Sequence, residues 1–455
     1  MPWAPLYLLA LLAVAVLAWQ RPDLGLALPL VFAPLFMQPK HIGHQEFAPS
    51  EIFTLLNLLV AGARVLDRKR QAKVAWGKLL TSPFLPAAAL FVLAGAASTL
   101  LAADHHVALR GFREWVVEPV LYFGLLLLFA TDARVWRILF GALVAAGLLV
   151  ASVGVVQRVS HQDLSVDPGS TIQKVRSVYG SPDNVGLLFD RVIPVWLAVA
   201  LAGAMGWVRR SGWYAIGILL LAASVLSYSR GAWAALVITC GAMLALCRPW
   251  GRWAILIGIV LALGVGAVKH QSVTNVLTAG HAGTAQNRIY IWKSAAKMVR
   301  HDPVFGIGPD NFIHYYAPTK QQDPYIANKC SFGLGYLDRV NAGSEPCLSH
   351  PHDEVLDLWL STGLTGLAAF VWVEVLFWRA IVAAFRRGAD SRVLVLGAAG
   401  AMLAGLLHGL VDNSYFLQDL SLIFWFLCAF AAWAEPGRLG WVKWVSPRGS
   451  GVLPG

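Results

Sequence analysis

Charged residues are scarce in this chain. They make up 13% of its 455 residues, about half the share of a soluble globular protein. That excludes a water-soluble fold around one core, which would show amphipathic periodicity. Cysteine is scarce as well. Cys240, Cys247 and Cys428 fall in or at the ends of apolar stretches, where a buried, inert thiol is expected, and no cysteine spacing suggests zinc. Internal repeats and low-complexity tracts are lacking, so there is no sign of the paired halves on which many transporters are built. The opening Met1-Pro2-Trp3-Ala4 has neither a basic n-region nor a small-residue cleavage site, so no removable signal peptide is expected.

What is present is apolar sequence in long blocks. Hydrophobic residues make up 57% of the chain, with 19 Trp and 21 Phe, and most blocks approach the roughly 20 residues that cross a bilayer as a helix. The pattern predicts an all-α integral membrane protein. The first two blocks, 4–19 and 24–38, are short and are read as one crossing, which gives about twelve transmembrane helices with both termini inside; if both span, the count is thirteen with the N-terminus outside. Short basic turns orient the rest. They contain Arg64, Arg68, Lys69, Arg70, Lys73 and Lys78; Arg209 with Arg210; Arg248 with Arg252; and Arg386 with Arg387. This use of basic residues, together with attraction to anionic membrane lipid, accounts for the net charge of +11, and no nucleic-acid partner is expected. Segments 103–114, 158–184, 229–230, 269–353 and 412–415 then share the extracytoplasmic side. The organisation expected is N-terminal membrane helices over 1–268, a large, partly helical outer loop over 269–353, C-terminal membrane helices over 354–434 and a cytoplasmic tail over 435–455. Cys330 and Cys347 share that outer loop, where a disulfide is plausible chemistry.

Ionisable groups beside apolar blocks are costly and so mark candidate sites. Four arginines qualify: Arg176 in the loop 174–184, which also holds Asn184; Arg191 after Asp190; Arg230 between two spans; and Arg288 in the outer loop. Thr284 can cap a helix from about 285. On that helix Arg288, Trp292, Ala295 and Val299 share one face while Lys293, Lys297 and Arg300 share another, which aims Arg288 at the protein. Each arginine alone has a structural reading, as a snorkelling or paired side chain; Asp190 is placed to pair with Arg191. Four on one side of the membrane point to an anion site, because guanidinium forks match phosphate oxygens. A second constellation is Ser349-His350-Pro351-His352-Asp353-Glu354. A histidine at a helix start can take a proton from a hydroxyl, with Asp353 or Glu354 to orient the ring. Two histidines with carboxylates also look like half of a metal site, but no third ligand stands at a suitable spacing, and no metal or other cofactor is expected. Asp412-Asn413 reads as a helix-end cap.

The order of these pieces resembles the O-antigen ligases and, more broadly, the polymerase/ligase superfamily. The matching residues are Arg176 to Asn184 with Gly180, Ser229-Arg230-Gly231, Asn287-Arg288 with Trp292, and His301-Asp302-Pro303 through Gly306 and Gly308. His352 then precedes Gly363 and Gly366. Asp353 stands where many members carry an amide or serine. The resemblance implies a glycosyltransferase with a GT-C-like fold in the bacterial inner membrane, its active site facing the periplasm. It would be metal-independent and inverting, moving O-antigen polysaccharide from undecaprenyl diphosphate to a hydroxyl of lipid A–core in lipopolysaccharide assembly. Arg176, Arg191, Arg230 and Arg288 would hold the diphosphate and stabilise its departure, His352 would be the general base, and His350, Asp353 and Asn184 would support them. An O-antigen polymerase, a protein O-oligosaccharyltransferase and, from a different class, a lipid-linked sugar transporter are the competing readings.

Overall fold

The computed structural model describes residues 4–42, 45–67, 74–166, 171–202, 206–248, 251–253, 284–316, 350–387 and 392–435. Arg68, Lys69, Arg70, Lys73, Cys330, Cys347 and the apolar stretch 254–268 lie outside the described residues.

Helices dominate. In chain order they are α1 (Ala4–Gln20), α2 (Pro22–Phe32), α3 (Pro49–Leu66), α4 (Trp76–Leu80), α5 (Phe84–Leu100), α6 (His105–Phe112), α7 (Glu118–Phe129), α8 (Ala133–Ser160), α9 (Pro182–Ala202), α10 (Trp207–Ser227), α11 (Arg230–Cys247), α12 (Thr284–His301), α13 (Phe312–Tyr316), α14 (Glu354–Arg386), α15 (Arg392–Gly409) and α16 (Gln418–Ala434). Two short antiparallel hairpins, 40–42 with 45–47 and 165–166 with 173–174, are the strands among the described residues. Among those residues, α3, α8, α9, α10, α11, α14 and α15 are long and apolar enough to cross a membrane; α5, α16 and the first two apolar helices are shorter. The chain is therefore a multi-pass membrane protein by length and composition.

The first two blocks do not run on as one rod. The chain breaks at Arg21 (φ −128, ψ 81), before Pro22 starts a new helix. There α1 doubles back along α2: a Cβ on Gly25 would stand 2.7 Å from that of Ala18, while Tyr7 and Val14 share a cavity wall with Phe32 and Leu35. A proline at the first helical position lacks an N–H the helix could not use, which fits it to start α2.

Small residues set the packing among the membrane helices, as expected where lipid supplies no hydrophobic drive between them. Gly147 meets Val192, Gly186 meets Ser229 and Ala232, and Gly397 meets Val195. The centre is aromatic: Phe91, Phe370, Trp425 and Tyr415 make ring contacts with centroids 5.3–6.3 Å apart. Almost every residue of α16 is buried.

One break in α14 shapes the site. Gly363 (φ 71, ψ 179) interrupts the helix, in a region of backbone space that residues with a Cβ rarely enter. Glu354 and Glu374 would stand ~30 Å apart on a straight helix at 1.5 Å per residue, yet both line one small cavity with Arg191. The segment 354–362 thus folds back beside the membrane helix that follows. The turn 303–307 docks into the break: Leu364 N donates to Pro303 O at 3.2 Å, Ile307 N to Leu360 O at 2.7 Å and Trp359 Nε1 to Pro303 O at 2.7 Å. A Cβ on Gly306 would strike Leu360 O, and one on Gly363 would strike Val304 O. Backbone packed this closely explains why both positions are glycine.

Candidate active site

The segments expected on one side do meet at one end of the bundle. Asp104 N donates to Asn311 Oδ1 at 2.9 Å, and Arg110 pairs with Asp310 at 2.7 Å. These contacts hold the loop before α6 against the turn before α13. Helix α12 keeps the face expected of it, with Ala295 and Val299 buried and Lys293, Lys297 and Arg300 exposed. The side chain of Thr284, the expected cap, lies outside the described residues.

Asp412, in the turn between α15 and α16, is the meeting point. Its Oδ1 stands 2.6 Å from His352 Nδ1 and accepts the Asn413 amide at 2.8 Å; its Oδ2 accepts from Arg288 Nη2 at 3.4 Å. Burial alone would raise this carboxyl, but the His352 hydrogen bond and the charges of His352 and Arg288 outweigh it and hold Asp412 below the ordinary carboxylate range. Asp412 is therefore ionised, and an ionised carboxylate on Nδ1 fixes the ring and turns Nε2 away from it. His352 sits at φ +53, which costs a non-glycine residue roughly 1–2 kcal/mol; Trp292 Nε1 donates to its carbonyl at 3.3 Å and helps hold it.

Beside Asp412 opens a cavity of about 250 Å³ lined by Arg230, Arg288, Lys174, His408, Ser229 and Asp183, among others. Two helices start at its edge, α9 near Asp183 and α11 at Arg230, and helix starts present free N–H groups and a positive dipole end. Among the described residues Arg230 has no ion-pair partner. The cavity thus combines three cationic side chains with helix starts, a setting for phosphate oxygens.

The other expected residues divide. Arg176 is 40% exposed and pairs with Asp163 at 3.6 Å; it is not on the cavity wall. Asn184 lies in the first turn of α9, half-buried, one residue beyond Asp183. Arg191 is buried and spent on other groups: Nη2 donates to the Ser414 carbonyl and hydroxyl, each at 2.6 Å, and Nη1 to Leu187 O at 3.0 Å. Asp190 pairs with His408 at 2.6 Å, not with Arg191 as expected. Asp353 does not orient His352; it caps α14 by accepting Leu356 N at 2.9 Å. His350 stands 2.8 Å from Asp357 Oδ2 as an ion pair, without hydrogen-bond alignment, between the rings of Trp115 and Phe416.

Sequence reasoning missed Asp412 as the partner of His352, did not single out His408, read Asp190 as a partner for Arg191 and took Lys174 only as part of the Arg176 loop. Asp412 was visible only as a polar residue at a helix end, and its pairing spans 60 positions of chain. The spacing His408 to Asp412, one helical turn, was the available signal.

A multi-pass membrane protein with a cation-lined cavity and a carboxylate-held histidine at one end is the class these features define. Residues 215–371 match the family model described as O-antigen ligase, which supports a place in the O-antigen ligase/polymerase superfamily. The matched stretch holds Arg230, Arg288, His350, His352 and Gly363; Asp190, Arg191, His408 and Asp412 lie outside it. The match supports a ligase/polymerase-type function and suggests a lipid-linked glycosyltransferase-like enzyme with a lipid-linked polysaccharide as substrate. No curated protein matches the chain.

Proposed function

We propose that the protein transfers O-antigen polysaccharide from undecaprenyl diphosphate to a hydroxyl of lipid A–core, at the periplasmic face of the inner membrane. The observation that carries this reading is Asp412, which takes His352 on one oxygen and Arg288 on the other beside the cationic cavity. The acceptor hydroxyl gives its proton to His352 Nε2 as its oxygen attacks the anomeric carbon. The bond from that carbon to the diphosphate breaks, and the departing diphosphate keeps the electron pair. Arg230, Arg288 and Lys174 meet the charge that develops there, a role in which preorganised donors contribute strongly to rate. Attack opposite the leaving group inverts the anomeric centre, and a diphosphate departs without a general acid. Arg191 contributes by fixing Ser414, and with it the turn that carries Asp412.

Reconstitution of purified protein with undecaprenyl-diphosphate glycan, with and without lipid A–core, tests the reading. Product formed only with the core is expected. Chain growth from donor alone would make the protein a polymerase and overturn the proposal.

A further inference from the structure

Asp190 on α9 and His408 on α15 take no part in the chemistry above. Their side chains are 0% and 1% exposed, inside helices apolar enough to cross a membrane, where ionisable groups are costly and tend to mark function. Pairing alone does not account for them. Asp190 bonds through Oδ2 only, and its buried Oδ1 has no hydrogen-bond partner among the described residues; two apolar residues would fill the same space without that cost. Room has also been made for the ring. A Cβ on Gly231 would collide with His408 Nε2 and Cδ2, so the glycine after Arg230 lets the imidazole reach the cavity wall.

The ring lies between two carboxylates, with Nδ1 2.6 Å from Asp190 Oδ2 and Nε2 3.8 Å from Asp412 Oδ2. A lone pair on Nε2 facing a carboxylate would be repelled, so this geometry favours a proton on both nitrogens. The other charged groups nearby are Arg191 on α9, Arg230 on α11, Arg288 on α12, which shares Asp412 Oδ2, Lys174 and Asp183 on the same cavity wall, and Glu354 on α14, whose carboxylate abuts Gly409.

We propose that His408, anchored by Asp190, is a positioning residue: its imidazolium neighbours Asp412 Oδ2, leaves Oδ1 to His352, and so sets how strongly Asp412 holds the His352 proton. This rests on the reading of His352 as general base. Without the imidazolium, Asp412 is less compensated, and His352 keeps its proton to higher pH.

Carbethoxylation of His352 by diethyl pyrocarbonate, followed by mass spectrometry across a pH series, tests this on purified protein and needs no turnover. In His408→Gln the labelling midpoint is expected to move up by about one pH unit, a tenfold change in proton affinity. In the same variant kcat falls about tenfold or more while the donor KM stays within about threefold, the pattern of a lost transition-state contribution. Asp190→Asn, the second variant should His408→Gln not fold, moves the midpoint the same way because the amide no longer holds the His408 proton. An unmoved midpoint in a folded variant, or a loss confined to KM, overturns the proposal. Neither result touches the assignment of His352, which stands or falls on the activity of His352→Ala.

Discussion

At the scale of single residues, Asp412 connects the groups that the sequence scattered. Its carboxylate holds His352 and meets Arg288, so Asp412→Asn should leave a folded protein whose kcat is down by about 10²-fold or more, the range of a general base that has lost its orienting partner. A donor-dependent transfer assay with both kcat and KM checks it. His352→Ala is expected to abolish transfer with membrane insertion intact, whereas His350→Ala causes a smaller loss; equal activity of His352→Ala and wild type would remove the base. His350 carries a pH prediction of its own. Burial favours its neutral form, but the Asp357 carboxylate overrides this and raises it above the ordinary histidine value. A raised group stabilises fully below its unfolded value of about 6.5, and the contribution fades as pH rises through the folded value. The gap in thermal stability between wild type and His350→Gln is therefore expected to be full near about pH 6 and to shrink towards about pH 9. A gap that grows with pH would contradict the pairing. His352 and Arg288 were legible as site candidates because a histidine at a helix start and an arginine on an apolar face are locally visible. Their partner was not, since Asp412 comes close only after the chain has crossed and turned.

At the scale of elements, the fold-back at Gly363 does the most to build the site. It brings 354–362 alongside the rest of α14 and gives 303–307 a place to dock. Gly363→Ala puts a Cβ at positive φ and against Val304 O; the conformational part alone costs roughly 1–3 kcal/mol. Reduced thermal stability is expected together with reduced transfer, read by a melting assay in detergent and by the transfer assay. An unchanged melting temperature would mean the break is not rigid. Apolar runs and basic turns made the helices legible, since both follow from the bilayer itself. The hairpin at Arg21 and the reversal at Gly363 were not, because nothing local separates a glycine that reverses a helix from one that packs against a neighbour. The resemblance flagged Gly363 without saying what it does.

At the scale of the whole molecule, membrane helices carry polar groups from distant segments to one end. Cations line the cavity, and the carboxylate-held histidine stands beside it. Binding and chemistry are then separable, since Arg230 and Lys174 touch the cavity without touching Asp412's hydrogen bonds, while His352 is held on Asp412 Oδ1. The most direct measurement is the binding of radiolabelled undecaprenyl-diphosphate glycan to reconstituted wild type, Arg230→Ala and His352→Ala, with transfer to lipid A–core followed in the same vesicles. His352→Ala is predicted to bind donor as wild type does and transfer none, and Arg230→Ala to lose binding. Donor binding undiminished in Arg230→Ala, or transfer surviving in His352→Ala, would contradict the account.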